Sequence, residues 1–435
     1  MKRLLLALLL LGCCTAAPAQ ILPGILAAPA SGPASYKSLS VFSLNSSNAN
    51  NNARFNVAGG DAYNTSSEAA AQFAAHADLK FSNLRGYVST NAGSTTWTFR
   101  ESGADSAITA TKAGTGSISD TANTVTVESA NLYNLVSTIT VSATRVEWAS
   151  MNVEPSAGGF VLQVLGMSNF LATAVADLQA NGRWPLAGGQ PGDGESAANR
   201  ARTQWKNREW TSIVGLGGRT GATNARTTAS VVQFEVNGSV PAGGLSYSIP
   251  SLEVSTNYTA TGNEIALVDG DLINLYLALG DAGVEDLTLG STYATFKSTS
   301  NKSALLFASG FGLNRAASAT EHFFPPGGRV TTQFAASSPV TDVTWVEIPL
   351  GFAASANYFR AQVITNTYTG TATLAMYVNG ASVATISIGA GVTGLVGDVD
   401  SAITIAATDT VAFSIVGGTS GNLAIGMGGV TLTNQ

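Results

Sequence analysis

Histidine and cysteine are nearly missing from this chain of 435 residues: two of each, at His76, His322, Cys13 and Cys14. A Ser-His-Asp triad, a thiol nucleophile or a zinc centre needs at least one of these types beside suitable partners, and nothing pairs the two histidines. His76 lies among alanines and His322 precedes Phe323 and Phe324, so both read as structural. No G-x-S-x-G, H-E-x-x-H, phosphate-loop or EF-hand spacing occurs. Charge is scarce as well, at 11% of residues and a net −6, and the 21 basic residues are scattered. A polyanion partner needs clustered Lys and Arg, so no nucleic-acid groove and no anionic-membrane patch is expected. Beyond the leader, no apolar run reaches the roughly 20 residues of a transmembrane helix, so no membrane span is expected.

The first residues have the pattern of an export signal. Lys2 and Arg3 form a positive start, Leu4 to Leu11 a short apolar segment, and Ala17-Pro18-Ala19 a small-residue cleavage site. The expected signal peptide is 1–19, with a secreted or cell-surface destination. Leu10-Leu11-Gly12-Cys13 offers a second reading as a lipoprotein anchor at Cys13, which the Ala-Pro-Ala site outcompetes. Cleavage after Ala19 leaves no cysteine, so core burial and sheet hydrogen bonds must hold the fold without disulfides. Residues 20–35, rich in Pro, Ala and Gly, read as a flexible arm.

What the chain does have is Gly, Thr, Ser and Asn, with 45% hydrophobic residues in alternation. Period-two alternation with turn residues between runs is the mark of half-buried antiparallel strands. A longer pattern repeats. TTWTFRESG (Thr95–Gly103) is followed by SDTANTVTV (Ser119–Val127) and NLYNL (Asn131–Leu135). TLAMYVNG (Thr373–Gly380) is followed by GDVDSAITI (Gly397–Ile405) and TDTVAF (Thr408–Phe413). Asp120 to Asn131 and Asp398 to Asp409 are both 11 residues. A looser copy, SVVQFEVNG (Ser230–Gly238) with VDGDLINLYL (Val268–Leu277), lies between them. The turn glycines Gly103, Gly238 and Gly380 are 135 and 142 residues apart, one sandwich-sized domain per period. The expected fold is all-β, with three tandem antiparallel β-sandwich, jelly-roll-like domains at 36–155, 156–300 and 301–435 and a few short helices. Asn-Gly at 237–238 and 379–380 predicts type I′ hairpins, with Ser102-Gly103 at the same corner. Asp120, Asp398 and Asp409 read as turn-capping carboxylates. Thr65 and Glu68 have capping-box spacing ahead of EAAAQFAAHADL and predict one helix.

Two groups of residues are candidates for binding. ESAANRARTQWKNREW (Glu195–Trp210) reads as a helix with a basic face. Its Arg200, Arg202, Trp205, Arg208 and Trp210, with Trp184 before it, are of the types enriched at hot spots and able to stack on sugars. Covering the second sandwich as an amphipathic helix is the plainer use of the same segment. Asp269 with Asp271, and Asp398 with Asp400, place paired carboxylates in loops. Calcium is therefore the one ion for which the sequence offers ligands, against turn capping as the plainer use.

The stretch from Leu84 to Leu135 resembles a jelly-roll module of phage and viral virion proteins, tail-fibre-like proteins and environmental bacterial surface proteins. The likeness rests on Phe99-Arg100-Glu101-Ser102-Gly103, Ser119-Asp120-Thr121-Ala122-Asn123-Thr124 and Asn131-Leu132-Tyr133-Asn134, with Ser102 and Asn131 departing from the usual Asn and Asp. The third domain matches the first and last elements moderately; the second matches only its hairpin and Gly270-Asp271-Leu272-Ile273-Asn274. The resemblance implies an assembly or surface-recognition role, and brings no catalytic residue with it. The expectation is a secreted, non-enzymatic structural protein that associates with copies of itself into an extracellular or virion-like assembly. A glycan- or receptor-binding adhesin is the second reading, and a polysaccharide-acting enzyme the weakest.

Overall fold

The computed structural model describes residues 35–48, 53–55, 68–91, 93–140, 144–172, 181–184, 186, 200–201, 203–224, 227–253, 256–260, 262–280, 287–308, 315–327 and 341–435. Ser35–Gln435 forms one compact unit. The leader, the arm, Thr65, the first residues of the Arg/Trp segment and Arg202 lie outside the described residues.

The first run of strands is β1 (Ser38–Asn48), β2 (Ala53–Phe55), β3 (Phe73–Ala74), β4 (Leu79–Thr90), β5 (Ser94–Glu101), β6 (Ala104–Ala113), β7 (Gly116–Val127), β8 (Leu132–Ile139) and β9 (Thr144–Pro155). They form two antiparallel sheets, ordered β1-β9-β4-β7 and β2-β8-β5-β6, with β3 added to β8. Two four-stranded sheets in this interleaved order make a jelly roll. The second run is β10 (Val161–Ala172), β11 (Asn181–Trp184), β12 (Trp205–Lys206), β13 (Ser212–Asn224), β14 (Ser230–Val236), β15 (Ser246–Ile249), β16 (Asn257–Thr259), β17 (Ile265–Ala266), β18 (Leu272–Ala278) and β19 (Leu287–Ser298). Its sheets repeat the order strand for strand: β10-β19-β13-β16 and β11-β18-β14-β15, with β12 added to β18.

The third run is β20 (Lys302–Ala308), β21 (Arg315–Phe324), β22 (Ile348–Pro349), β23 (Ala354–Asn366), β24 (Ala372–Val378), β25 (Ala381–Ile388), β26 (Gly394–Val399), β27 (Ile403–Ile405) and β28 (Thr410–Asn434). Here one long strand does the work of two. The first part of β28 pairs with β21, β22 and β24, and its last part with β20 and β23, so the two sheets are continuous through it. The order is again that of the other two modules. The fold is all-β, with three tandem jelly-roll sandwiches. Among the described residues helix is confined to short turns, one of them α1 (Glu68–Ala71), and no helix is long and apolar enough to cross a membrane.

The repeated motif is the hairpin corner of each module and its latch. Ser102-Gly103, Asn237-Gly238 and Asn379-Gly380 all have positive φ at both positions, 48° and 82°, 52° and 79°, and 51° and 73°. That is the type I′ geometry expected of Asn-Gly. The strand that returns beside it, β8, β18 or β28, begins next to the turn. Asn237 Nδ2 donates to Asp271 Oδ1 at 2.7 Å and Asn379 Nδ2 to Asp409 Oδ1 at 2.8 Å; each Asn Oδ1 accepts the following strand's first N–H, from Leu272 or Thr410. The second aspartate oxygen accepts Val268 N–H or Ala406 N–H. In the first module both partners differ together: Ser102 replaces the asparagine, Asn131 the aspartate, and Asn131 Nδ2 donates instead to Glu101. The paired departure follows from the two side chains being hydrogen-bonded to each other. Asp120 caps as expected, accepting N–H bonds from Thr109, Ala122 and Asn123.

Each module's core is completed by its neighbour. The first module's core contains Leu162 and Val164 of β10, the second's contains Ala304 and Leu306 of β20, and the third's contains Leu39 and Val41 of β1. These pairs are equivalent, because Leu39, Leu162 and Ala304 stand opposite Asn152, Lys297 and Thr431 at matching points of the partner strands. The first strands β1, β10 and β20 touch one another. The three modules therefore close into a ring with an internal pseudo-threefold arrangement, module one feeding three, three feeding two, and two feeding one.

Asn237→Ala and Asp271→Ala are each expected to cost about 1–3 kcal/mol, the price of leaving a half-buried partner unmatched. In a double-mutant cycle read by urea unfolding the two should couple by at least about 0.5 kcal/mol. Additive losses would show that the latch carries no pairwise energy.

Candidate functional site: the seams between modules

The short strands β3, β12 and β22 pair with β8, β18 and β28 at equivalent points, Phe73 opposite Tyr133, Trp205 opposite Ile273 and Ile348 opposite Val411. The same backbone bond follows two residues later in every module, from Ala75 N–H to Asn131 O, Asn207 N–H to Asp271 O and Leu350 N–H to Asp409 O. The residues that come next leave their own module and meet the neighbour. The geometry of the three seams is shared, and their chemistry is not.

Between modules two and three the seam is ionic. Asn207 folds the segment: its Oδ1 accepts the N–H groups of Glu209 and Trp210, and its Nδ2 donates to Trp210 O and Val268 O. That side-chain-to-backbone bonding replaces helical bonds and turns Glu209 inward. Glu209 Oε1 accepts from Arg360 Nη2 and Thr431 Oγ1, both at 2.6 Å; its Oε2 accepts Trp205 Nε1 and Arg208 N–H. Arg360 also donates to Tyr358 O, Thr431 Oγ1 and Lys206 O, and its guanidinium lies 3.9 Å from the centre of the Trp205 ring. Both charged side chains are 0% exposed. Outside this pair, Lys206 Nζ and Arg208 Nη2 reach Asp398 at 2.6 and 2.9 Å, and Arg208 Nη1 reaches Asp269 at 2.8 Å. Burial alone would raise the Asp398 pKa, but hydrogen bonds from Arg208 and Lys206 outweigh it and hold the carboxyl below its ordinary value.

Between modules one and two the seam is aromatic. Phe73 stacks on Tyr293 with centroids 4.0 Å apart, and Ala74 N–H donates to Tyr293 Oη at 2.8 Å. His76 fits over Gly215, where a Cβ would fall 2.0 Å from the ring, and its Nδ1 lies 3.0 Å from Thr295 Oγ1. Burial pulls its pKa down to about 4.

Between modules three and one the seam is open. Trp148 Nε1 donates to Trp345 O at 3.1 Å and Asn152 Nδ2 to Leu350 O at 2.9 Å. Between these anchors lies a cleft of about 330 Å³ whose lining includes Arg85, Tyr87, Ser119, Trp148, Thr344 and Glu347.

The residues singled out in the sequence are distributed as follows. Trp184 is buried in the second module over Gly182. Trp205 and Trp210 are buried too, Trp210 donating to Gln163 Oε1, so none of the three offers an open ring to a sugar. Arg200 caps the hairpin by donating to Gly238 O. Arg208 joins modules two and three. The expected helix over 195–210 is a correction: 205–206 is strand β12, and Asn207 supplies the turn. EAAAQFAAHADL likewise holds only the four-residue α1, because Phe73 and Ala74 pair with β8. Of the calcium candidates, Asp271 closes the hairpin latch, and Asp269 and Asp398 converge on Arg208, a cation already in place. Asp400 is exposed. Among the described residues no three His, Cys, Asp or Glu side chains form a metal-holding group. Sequence reading missed Glu209, Arg360 and Arg85. No local sequence signal marks the two arginines: what they share is a bulged strand seen only in the structure, each following a positive-φ residue two positions earlier, Asn83 and Tyr358.

No protein-family model and no curated protein matches this chain. What the fold and seams define is an all-β protein of three jelly rolls joined through each other's cores.

Breaking the buried pair with Glu209→Ala or Arg360→Ala should cost about 3–5 kcal/mol in unfolding free energy, since each leaves a buried charge unmatched. Replacing both with Leu and Met should cost less than either. The His76 seam gives a pH test. With a folded pKa near 4 against an ordinary 6.5, the unfolded chain takes the proton first, so stability is full above about pH 6.5 and falls as pH drops toward 4. His76→Gln should flatten the melting-temperature profile across that window.

Proposed function

We propose that this chain is a non-enzymatic structural subunit, secreted to the cell surface or carried on a virion-like particle, that assembles with copies of itself. The observation that carries the reading is the closed ring of three jelly rolls. Contacts that three separate chains would make across a symmetric interface are made inside one chain, which removes the concentration dependence of that first assembly step. The ring turns β1, β10 and β20 inward, while the strands at the far ends of the sheets stay open. In module three these are β25 and β26, where Val383, Leu395 and Val399 are exposed, Val399 to 68%. Open edges with apolar residues and little charge suit strand-to-strand addition by a second copy. The N-terminal leader pattern supports export, and the Ser/Thr/Asn-rich surface supports packing without charge repulsion.

Size-exclusion chromatography with light scattering, run over a range of concentrations, tests the reading. A closed oligomer or a growing filament is expected, and Leu395→Lys with Val399→Lys should return it to single chains with the melting temperature kept. A single chain at every concentration would overturn self-assembly.

A further inference from the structure

The three seams are equivalent in backbone, so what one contains and another lacks is informative. Arg85, Gly215 and Arg360 occupy the same place on β4, β13 and β23, each just past the bulge and opposite Ser150, Thr295 and Gly429. Arg360 receives the Glu209 carboxylate from the preceding module. Gly215 receives His76. Arg85 receives neither: counting from the short strands, the position of Glu209 is Phe352 in module three, and Phe352 is committed to that module's core. Among the described residues no carboxylate pairs with Arg85. The space beside it is the open cleft, lined by the half-buried ring of Tyr87, by Trp148, which is itself packed in the core, by the hydroxyls of Ser117, Ser119 and Thr344, and by Glu347, whose Oε1 accepts Gly380 N–H.

We propose that this cleft binds a sugar bearing a carboxylate, with Arg85 taking the acid group as Arg360 takes that of Glu209. A planar guanidinium is matched to a carboxylate through two parallel N–H bonds. The Tyr87 ring suits the apolar face of a pyranose, and the hydroxyls and Glu347 suit its ring hydroxyls, to which a carboxylate can only be an acceptor. The volume is at the lower end of small-ligand sites, about 300–1,000 Å³, which favours a terminal residue or two over a long chain segment. Burial without a compensating acid draws the Arg85 guanidinium below its ordinary value, a cost that a bound carboxylate would relieve. The inference stands on the seam and does not depend on self-assembly.

The test is calorimetric titration of the whole purified chain with sialyl-, glucuronyl- and galacturonyl-terminated oligosaccharides, and with the uncharged counterpart of each. Binding of at least one acidic sugar is expected, weakening as salt is raised, with its neutral counterpart at least about tenfold weaker. Arg85→Met should weaken it by a similar factor. Thr344→Trp, a change at an exposed lining position that fills the cleft without touching a core, should abolish it. Thermal melts of both variants check that the fold is kept. Failure of every acidic sugar at millimolar concentration, equal binding of the neutral counterparts, or full binding by folded Thr344→Trp would each overturn the proposal. Binding of plain acetate with the same affinity as the best sugar would overturn the sugar and leave an anion site.

Discussion

Every module of this chain lacks one wall of its own core. A jelly roll of about 120 residues can close two sheets on each other, but here the inner end of each sandwich is filled by two side chains of the next module's first strand. Leu39 with Val41, Leu162 with Val164, and Ala304 with Leu306 are the six residues concerned. Burying an aliphatic side chain of Val or Leu size is worth about 1.5–3 kcal/mol, so removing a neighbour would expose several kcal/mol of apolar surface per seam. That is comparable to the whole stability of an ordinary domain, about 5–15 kcal/mol. The modules therefore have strong reason to stay together, and the chain behaves as one compact unit despite its threefold repeat.

Because hydrophobic exchange sets the arrangement, the polar parts of the seams are free to differ. The equivalent positions after β3, β12 and β22 hold His76, Arg208 and Gly351, and the seams they make are respectively neutral and aromatic, ionic, and open. A buried pair such as Arg360 with Glu209 adds little net stability over a well-packed apolar contact of the same shape, because desolvation offsets the attraction. Its effect is on which module fits where: Glu209 is tolerated only beside an arginine, which rules out the Gly215 place. At Arg360 the Thr431 hydroxyl and the Trp205 ring complete the site, and Asp398 beside it holds Lys206 and Arg208. Two neighbouring copies could otherwise exchange modules, since the apolar contacts are alike.

What could be read in advance and what could not divide along the same line. The hairpin corners were legible because Asn-Gly has a backbone preference that no neighbour needs to supply, and the 135- and 142-residue spacing of Gly103, Gly238 and Gly380 marks the modules directly. Asp120 and Asp409 cap turns for the same local reason, whereas Asp398, read as a third cap, is held instead by Lys206 and Arg208 of the neighbouring module. The Arg/Trp segment was misread because its composition is right for a hot spot and its spacing does not oppose a helix. The deciding facts are non-local: Ile273 as strand partner of Trp205, and Arg360, 151 residues from Glu209, as the mate of a carboxylate. Arg and Trp are enriched at interfaces because they bring apolar area and directed hydrogen bonds together. Those properties serve an interface within a chain as well as one between chains, and composition alone does not separate the two.

The repeat itself then becomes a way to find function that neither composition nor motif provides. In a ring built from equivalent units, a residue retained at one seam and used at another has a known use, and the difference between the seams isolates what is missing. At Arg360 the guanidinium is satisfied by a carboxylate, a threonine hydroxyl and backbone carbonyls, and the aromatic face of Trp205 covers it. At Arg85 the backbone place is the same and Tyr87 supplies aromatic surface, but among the described residues no carboxylate pairs with the guanidinium. A structural arginine would gain nothing from a cleft of about 330 Å³ beside it, because packing would stabilise it more. Pro349, where Lys206 stands at the other seam, lines that space, and Gly351, where Arg208 stands, gives its room to Asn152. The two basic side chains that close the ionic seam therefore have no counterpart at this one, and the cleft beside Arg85 is left to whatever acid group the proposed ligand brings.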